Sequence, residues 1–128
     1  MIYLDTSVAL AHLLAEDRHP PDALWSATLV SSRLIEYELF TRIHARGLSG
    51  SHGPAVEALL GRVALLELTP AVLARAREPF PAPTRTLDAL HLASADFLRG
   101  QHQFVEIASY DERLSSAARR MGFSIATC

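Results

Sequence analysis

Ile2-Tyr3-Leu4-Asp5-Thr6-Ser7-Val8-Ala9-Leu10 reads as a short apolar strand that ends on an acid and turns at once into a helix. Thr6 and Ser7 offer capping hydroxyls to a helix continuing through Leu13 and Leu14. The same alternation repeats along the chain. His19-Pro20-Pro21-Asp22 breaks it before a short helix with Trp25, and Leu29-Val30-Ser31 reads as a second strand. Ser32 opens a long helix ending near Gly47-Leu48-Ser49-Gly50, and Pro54 starts another over Val56, Leu59 and Leu60. Ala64 to Leu68 is a third strand, followed by a helix from Pro70. Prolines 79, 81 and 83 impose an extended loop. Thr86 then caps a helix with Leu87, Leu90, His91, Ala95 and Leu98. Phe104 to Tyr110, Glu112 to Met121 and Phe123 to Ile125 complete the series as strand, helix and strand. Strands that alternate with helices predict a three-layer α/β/α domain with a central parallel sheet, a single domain over residues 1–128.

Composition narrows the function classes. Of the 128 residues, 49% are apolar and 20% charged, with a net charge of −2, so no broad basic surface supplies affinity for nucleic acid or anionic membrane. All twelve basic residues are arginine, which removes lysine as nucleophile, base or phosphate clamp. One cysteine, Cys128, excludes an internal disulfide and a multi-thiolate zinc site. Met1 leads into a strand rather than a signal peptide, and the apolar runs are short of the roughly 20 residues of a membrane span. A cytoplasmic location is the expectation.

The acids carry more information. Asp5 ends the first strand, Asp111 follows the fourth, Asp88 lies in the first turn of the helix from Thr86, and Glu36 and Glu38 lie in the helix from Ser32. Helix capping alone accounts for Asp88 or Asp111, and pairing with Arg42 accounts for either glutamate. As a group they behave differently. Ligands of open parallel sheets bind beyond the carboxyl ends of the strands, where Asp5 and Asp111 both project if strands one and four are neighbours. Carboxylates converging there repel until they protonate or bind a cation. With no lysine to neutralise them, a hard divalent ion, Mg²⁺ or Mn²⁺, is the natural partner.

Met1-Ile-Tyr-Leu-Asp-Thr-Ser-Val-Ala-Leu10, Ser31-Ser-Arg-Leu-Ile-Glu-Tyr-Glu-Leu39, Thr86-Leu-Asp-Ala-Leu-His-Leu-Ala-Ser-Ala95 and Ser109-Tyr-Asp-Glu-Arg-Leu-Ser-Ser-Ala-Ala118 resemble the four motif regions of PIN-domain ribonucleases, and among these the VapC toxins of bacterial type II toxin–antitoxin pairs. The resemblance runs nearly end to end and in order. It implies that Asp5 is the central metal ligand and that Asp88 and Asp111 are the third and fourth acids. The second acid is Glu36 or Glu38, which point about 200° apart on a helix. The family's spacing from Ser32 selects Glu38, and Glu38 sits beside Thr41 and Arg42 whereas Glu36 shares a face with Phe40 and Ile43.

The resemblance further implies an Mg²⁺- or Mn²⁺-dependent endoribonuclease in which a water acidified by metal attacks the phosphorus in line, giving a 5′-phosphate and a 3′-hydroxyl. A cognate VapB-type antitoxin occupying the acidic pocket, an RNA substrate and a homodimer are the partners it implies. Thr6, Ser7 and Ser109 are candidates to orient Asp5 or a water, Arg113 to hold a substrate phosphate, and Asp96 to lie behind Asp88. Arg42, Arg46, Arg113, Arg119 and Arg120 form the candidate phosphate rim. His91, one turn after Asp88, reads as a packed polar residue. Two rival classes remain open. A haloacid-dehalogenase-like phosphohydrolase also places an Asp after its first strand, but it expects a second Asp where this chain has Ser7, and a lysine that is absent. A catalytically degenerate PIN-like binding module would lack some of the four acids.

Overall fold

Tyr3 and Leu4 stand next to each other in an extended segment, so their side chains leave on opposite faces. Both are fully buried, and they belong to different apolar clusters. A strand covered on both sides needs helices above and below it. In the computed structural model, which describes residues 1–128, the first half runs β1 (Ile2–Leu4), α1 (Thr6–Leu13), α2 (Asp22–Ser26), β2 (Leu29–Ser32), α3 (Leu34–Ala45) and α4 (Ser49–Leu60). The second half runs β3 (Ala64–Leu66), α5 (Pro70–Ala76), α6 (Thr86–Gly100), β4 (Glu106–Ala108), α7 (Glu112–Arg120) and β5 (Ser124–Ile125). The sheet is entirely parallel, in the order β3-β2-β1-β4-β5. Tyr3 registers with Val30 and Ile107, and Leu4 with Ala108.

Each face collects its own helices. Leu4, Leu29 and Ala108 pack against Val8 and Leu10 of α1, Ile35, Leu39 and Ile43 of α3, and Val56 and Leu59 of α4. Tyr3, Val30 and Ile107 pack against Leu92 and Ala95 of α6 and Leu114, Ala117 and Ala118 of α7. Helix α5 lies against α6. The result is the three-layer arrangement that the alternation of elements predicts. Leu10 and Leu39 are core residues, as their spacing implies, while Leu13, Leu14, Trp25 and Phe40 are partly buried at its edge.

Several boundaries differ from the sequence expectation, each for a local reason. Helix α4 begins at Ser49, not at Pro54, which lies inside it. Pro54 has no N–H for the Gly50 carbonyl, but both residues are exposed, so water can take up the orphaned acceptor. The early start is held by the His52 N–H donating to the Leu48 carbonyl at 2.9 Å and by a short bond between His44 Nδ1 and Ser49 Oγ. Gly47, at φ +69°, makes the expected turn out of α3. Thr86 is the first residue of α6 rather than its cap. The fourth strand is trimmed to Glu106–Ala108, leaving Phe104 outside it and 70% exposed.

Leu39 fills the core that α3 shares with the sheet, whereas Tyr37 on the same helix is 64% exposed. Leu39→Ala is expected to lower the unfolding free energy by about 2–5 kcal/mol, and Tyr37→Ala by no more than about 0.5 kcal/mol, in urea titrations. Equal losses would show that α3 does not dock through this face.

Candidate active site

The order of strands reverses at β1: β2 and β3 lie to one side, β4 and β5 to the other. The chain segments leaving β1 and β4 therefore part company and open a crevice at the carboxyl end of the sheet. A cleft of about 930 Å³ lies there, lined by Asp5, Glu38, Asp88 and Asp111 together. These residues come from the end of β1, the middle of α3, the first turn of α6 and the start of α7.

Asp5 is 6% exposed, and its N–H donates to the Ala108 carbonyl at 2.9 Å, which ties it to the end of β4. Its extended backbone makes it the N-cap of α1, where the sequence alone pointed to Thr6 and Ser7. A single carboxylate oxygen, Oδ2, accepts from Ser7 Oγ at 2.6 Å, from Ser109 Oγ at 2.8 Å and from the Ser7 N–H at 3.4 Å. The same two serines accept backbone N–H groups of the loop after β4: Tyr110 to Ser7 Oγ and Asp111 to Ser109 Oγ, each at 2.9 Å. Ser7 and Ser109 thus bind Asp5 to the segment that carries Asp111. Asp111 caps α7, its Oδ1 accepting from the N–H groups of Arg113 at 2.9 Å and Leu114 at 3.3 Å.

Glu38 projects from α3 with its Oε1 held by Thr6 Oγ1 at 2.9 Å and His91 Nε2 at 2.5 Å. His91 is 2% exposed, and its Nδ1 lies 2.7 Å from the Tyr3 hydroxyl, which accepts the Ser32 N–H at 3.1 Å. Burial alone would lower the imidazole pKa, but the bond to Glu38 and the charges of Glu38, Asp5 and Asp88 hold it above its ordinary value. Burial pushes the Tyr3 phenol well above its usual range. Glu36 faces elsewhere, 3.1 Å from Arg33, which also grips Glu67 at 2.6 Å. Of the two glutamates only Glu38 enters the cleft.

Asp88 makes no side-chain hydrogen bond, and its carboxyl is pushed above the ordinary 3.8 by burial first and then by the charges of Asp111 and Asp5. The donor chemistry of the cleft, carboxylate oxygens among hydroxyls, suits a hard divalent ion. The spacing is open rather than caged, for no three carboxylates or imidazoles are gathered tightly enough to enclose an ion by themselves.

Of the arginines expected at the rim, Arg42 and Arg46 line the cleft. The other three lie elsewhere. Arg119 pairs with Glu112 at 3.1 Å, Arg120 donates to the Pro81 carbonyl, and Arg113 is exposed and does not line the cleft. Arg18 and Arg85, which sequence reasoning passed over, take their place, and Tyr37 stands exposed on the same wall. Asp96 does not lie behind Asp88 in the cleft. It is clasped by Arg75 at 2.8 Å and Arg99 at 2.7 Å, because two turns along α6 carry it to the far end of the helix. His91 was legible only as packed, although its place three residues after Asp88 puts both on one helical face.

Asp88 and Asp96 respond to pH in opposite senses. Burial opposes ionisation of Asp96, but Arg75 and Arg99 lower its pKa, so its stabilisation is present above 3.8 and lost as pH falls through the depressed value. Asp88, with a raised pKa, costs stability as pH climbs through that value and keeps the full penalty at neutrality. In chelator-treated protein at pH 7, Asp96→Asn should lower stability by about 1–2 kcal/mol, while Asp88→Asn leaves the melting temperature unchanged or raises it. A fall in melting temperature for Asp88→Asn comparable to that for Asp96→Asn would refute the repulsion.

The profile of the family described as PIN domain matches residues 2–120. Among curated proteins, Ribonuclease VapC35 of Mycobacterium tuberculosis is 31% identical over 131 residues, covering 98% of this chain and 95% of the relative. Ribonuclease VapC47 of the same organism is 31% identical over 134 residues, covering 99% and 96%. No solved structure gives a significant match. With the family profile spanning nearly the whole chain and full-length relatives above 30% identity, the protein belongs to the PIN-domain family, alongside the VapC ribonucleases.

Proposed function

We propose that this protein is an endoribonuclease that works with Mg²⁺ or Mn²⁺ and serves as the toxin of a toxin–antitoxin pair, its 128 residues forming one catalytic domain. One observation carries the reading: four carboxylates from distant parts of the chain line one cleft at the reversal point of the sheet, with guanidinium groups at its rim. Its relatives are named ribonucleases, which gives the reaction class. Asp5, Glu38, Asp88 and Asp111 would hold the cation. Mg²⁺ keeps several of its waters and takes only one or two carboxylates directly, so the remaining acids would reach it through water. When bound, such an ion supplies positive charge at the scissile phosphate and an acidified water for in-line attack.

The chain's own residues have separable tasks. Ser7 and Ser109 fix the Asp5 carboxylate by one oxygen and leave the other free of hydrogen bonds. Thr6 does the same for Glu38. Arg18, Arg42, Arg46 and Arg85 offer planar forks to the phosphates on either side of the cut. Cleavage in this manner needs neither the 2′-hydroxyl nor a pair of histidines, and it leaves a 5′-phosphate and a 3′-hydroxyl. An acidic cleft also suits a cationic side chain from a protein inhibitor, so a VapB-type antitoxin would enter it with an arginine and displace the cation. The toxin would act in the cytoplasm, where RNA is found, and as a homodimer.

Two measurements test this function. Sequencing RNA ends after expression of wild type and Asp5→Asn should show new 5′-phosphate ends only with wild type, while Asp5→Asn remains folded; equal cleavage by both would remove Asp5 from the reaction. With the inactive Asp5→Asn protein, Arg46→Ala should weaken binding of single-stranded RNA evenly across sequences and reduce the slope of log affinity against log salt by about 0.7. An unchanged slope would place the phosphate backbone elsewhere.

A further inference from the structure

The contacts around Glu38 form a continuous chain from the core of the sheet to the cleft. Its first member is the Ser32 N–H, which donates to the Tyr3 hydroxyl at 3.1 Å. The same oxygen lies 2.7 Å from His91 Nδ1, one hydrogen bond whichever of the two carries the proton. On its other side the ring meets a carboxylate, which only accepts, so Nε2 carries a proton and donates it to Glu38 Oε1 at 2.5 Å. Thr6 Oγ1 donates to the same oxygen at 2.9 Å. Both donors converge on Oε1, and Oε2 accepts nothing.

The support is rigid. Tyr3 is 1% exposed in the middle strand, and His91 is 2% exposed in α6 with its ring edge-on to Tyr3 at 5.8 Å. Glu38 has by contrast a long, flexible side chain on α3, on the other side of the sheet from α6. Nothing on α3 itself holds its carboxylate; both partners come from other elements.

We propose that His91, fixed by Tyr3, is a positioning residue for Glu38: with Thr6 it takes up Oε1, and so presents Oε2 as the oxygen available to a divalent cation. The inference rests on the proposal above that Glu38 belongs to the cation site, and it gives Tyr3 and His91, which are not acids, a part in holding it. Groups that orient a metal's carboxylate ligands change metal affinity by about 10–100-fold when removed.

The test is a Mn²⁺ titration of the full-length, chelator-stripped protein, followed by the signal of free Mn²⁺ and paired with the melting temperature of the metal-free form. His91→Leu, which cannot donate to Glu38, should weaken Mn²⁺ binding by about 10–100-fold. His91→Gln, whose amide nitrogen can donate from the position of Nε2, should recover most of that loss. Tyr3→Phe keeps the imidazole but removes the hydroxyl that holds the ring in place, and should give a smaller weakening; it carries the test alone if His91→Leu does not fold. Wild-type affinity in both His91→Leu and Tyr3→Phe, with Asp5→Asn impaired, would overturn this inference and leave the cation site standing. No specific Mn²⁺ binding by wild type would overturn both.

Discussion

Like-charge repulsion among Asp5, Glu38, Asp88 and Asp111 is the constraint that the upper end of this molecule is built to withstand. Carboxylates brought into one cleft, partly out of water, repel one another unless something offsets the charge. The fold does not offset it with arginines. Every arginine ion pair goes to an acid outside the cleft: Arg33 to Glu36 and Glu67, Arg75 and Arg99 to Asp96, and Arg119 to Glu112. Asp5 and Asp111 are held by hydroxyl and backbone N–H donors, which orient a carboxylate without cancelling its charge, and Glu38 alone also meets an imidazole, His91. Asp88, with no such donor, has its carboxyl pushed up by burial and by its neighbours. No arginine pairs with the four cleft acids, and the proposed chemistry grows from the negative charge left there.

The scaffold explains how the acids can be fixed so far apart in sequence. Reversal of the strand order at β1 parts the connections leaving β1 and β4, so the cleft is a consequence of topology rather than of any one loop. Tyr3 and Leu4 each serve one layer, and Tyr3 serves the cleft as well. Ser7 and Ser109 then lock the two strand ends together across the opening. Packing and site geometry therefore share residues.

Much of this was legible from residues alone, for identifiable reasons. The alternation of short apolar runs with amphipathic ones gave the layers, because a strand buried on both faces has few other sequences open to it. Acids at strand ends and first helical turns were visible because those positions are defined by chain order. What escaped depended on side chains meeting across elements. Asp96 and Asp88 share a helix, but only three-dimensional packing sets Arg75 and Arg99 against Asp96. Arg18 and Arg85 border the cleft by way of loop paths that composition does not encode. His91 looked like a packed polar residue, and it is packed; its second role depends on a tyrosine from β1 and a glutamate from α3. Pro54 misplaced a helix start because an exposed proline costs little there.

The most direct test of the central claim is an anomalous difference map from crystals of the protein soaked in Mn²⁺. An ion gathered by the repelling acids predicts a peak in the cleft among Asp5, Glu38, Asp88 and Asp111, absent from crystals of Asp5→Asn. A map with no peak there at saturating Mn²⁺, or with its strongest peak at Asp96 or Glu112, would contradict it.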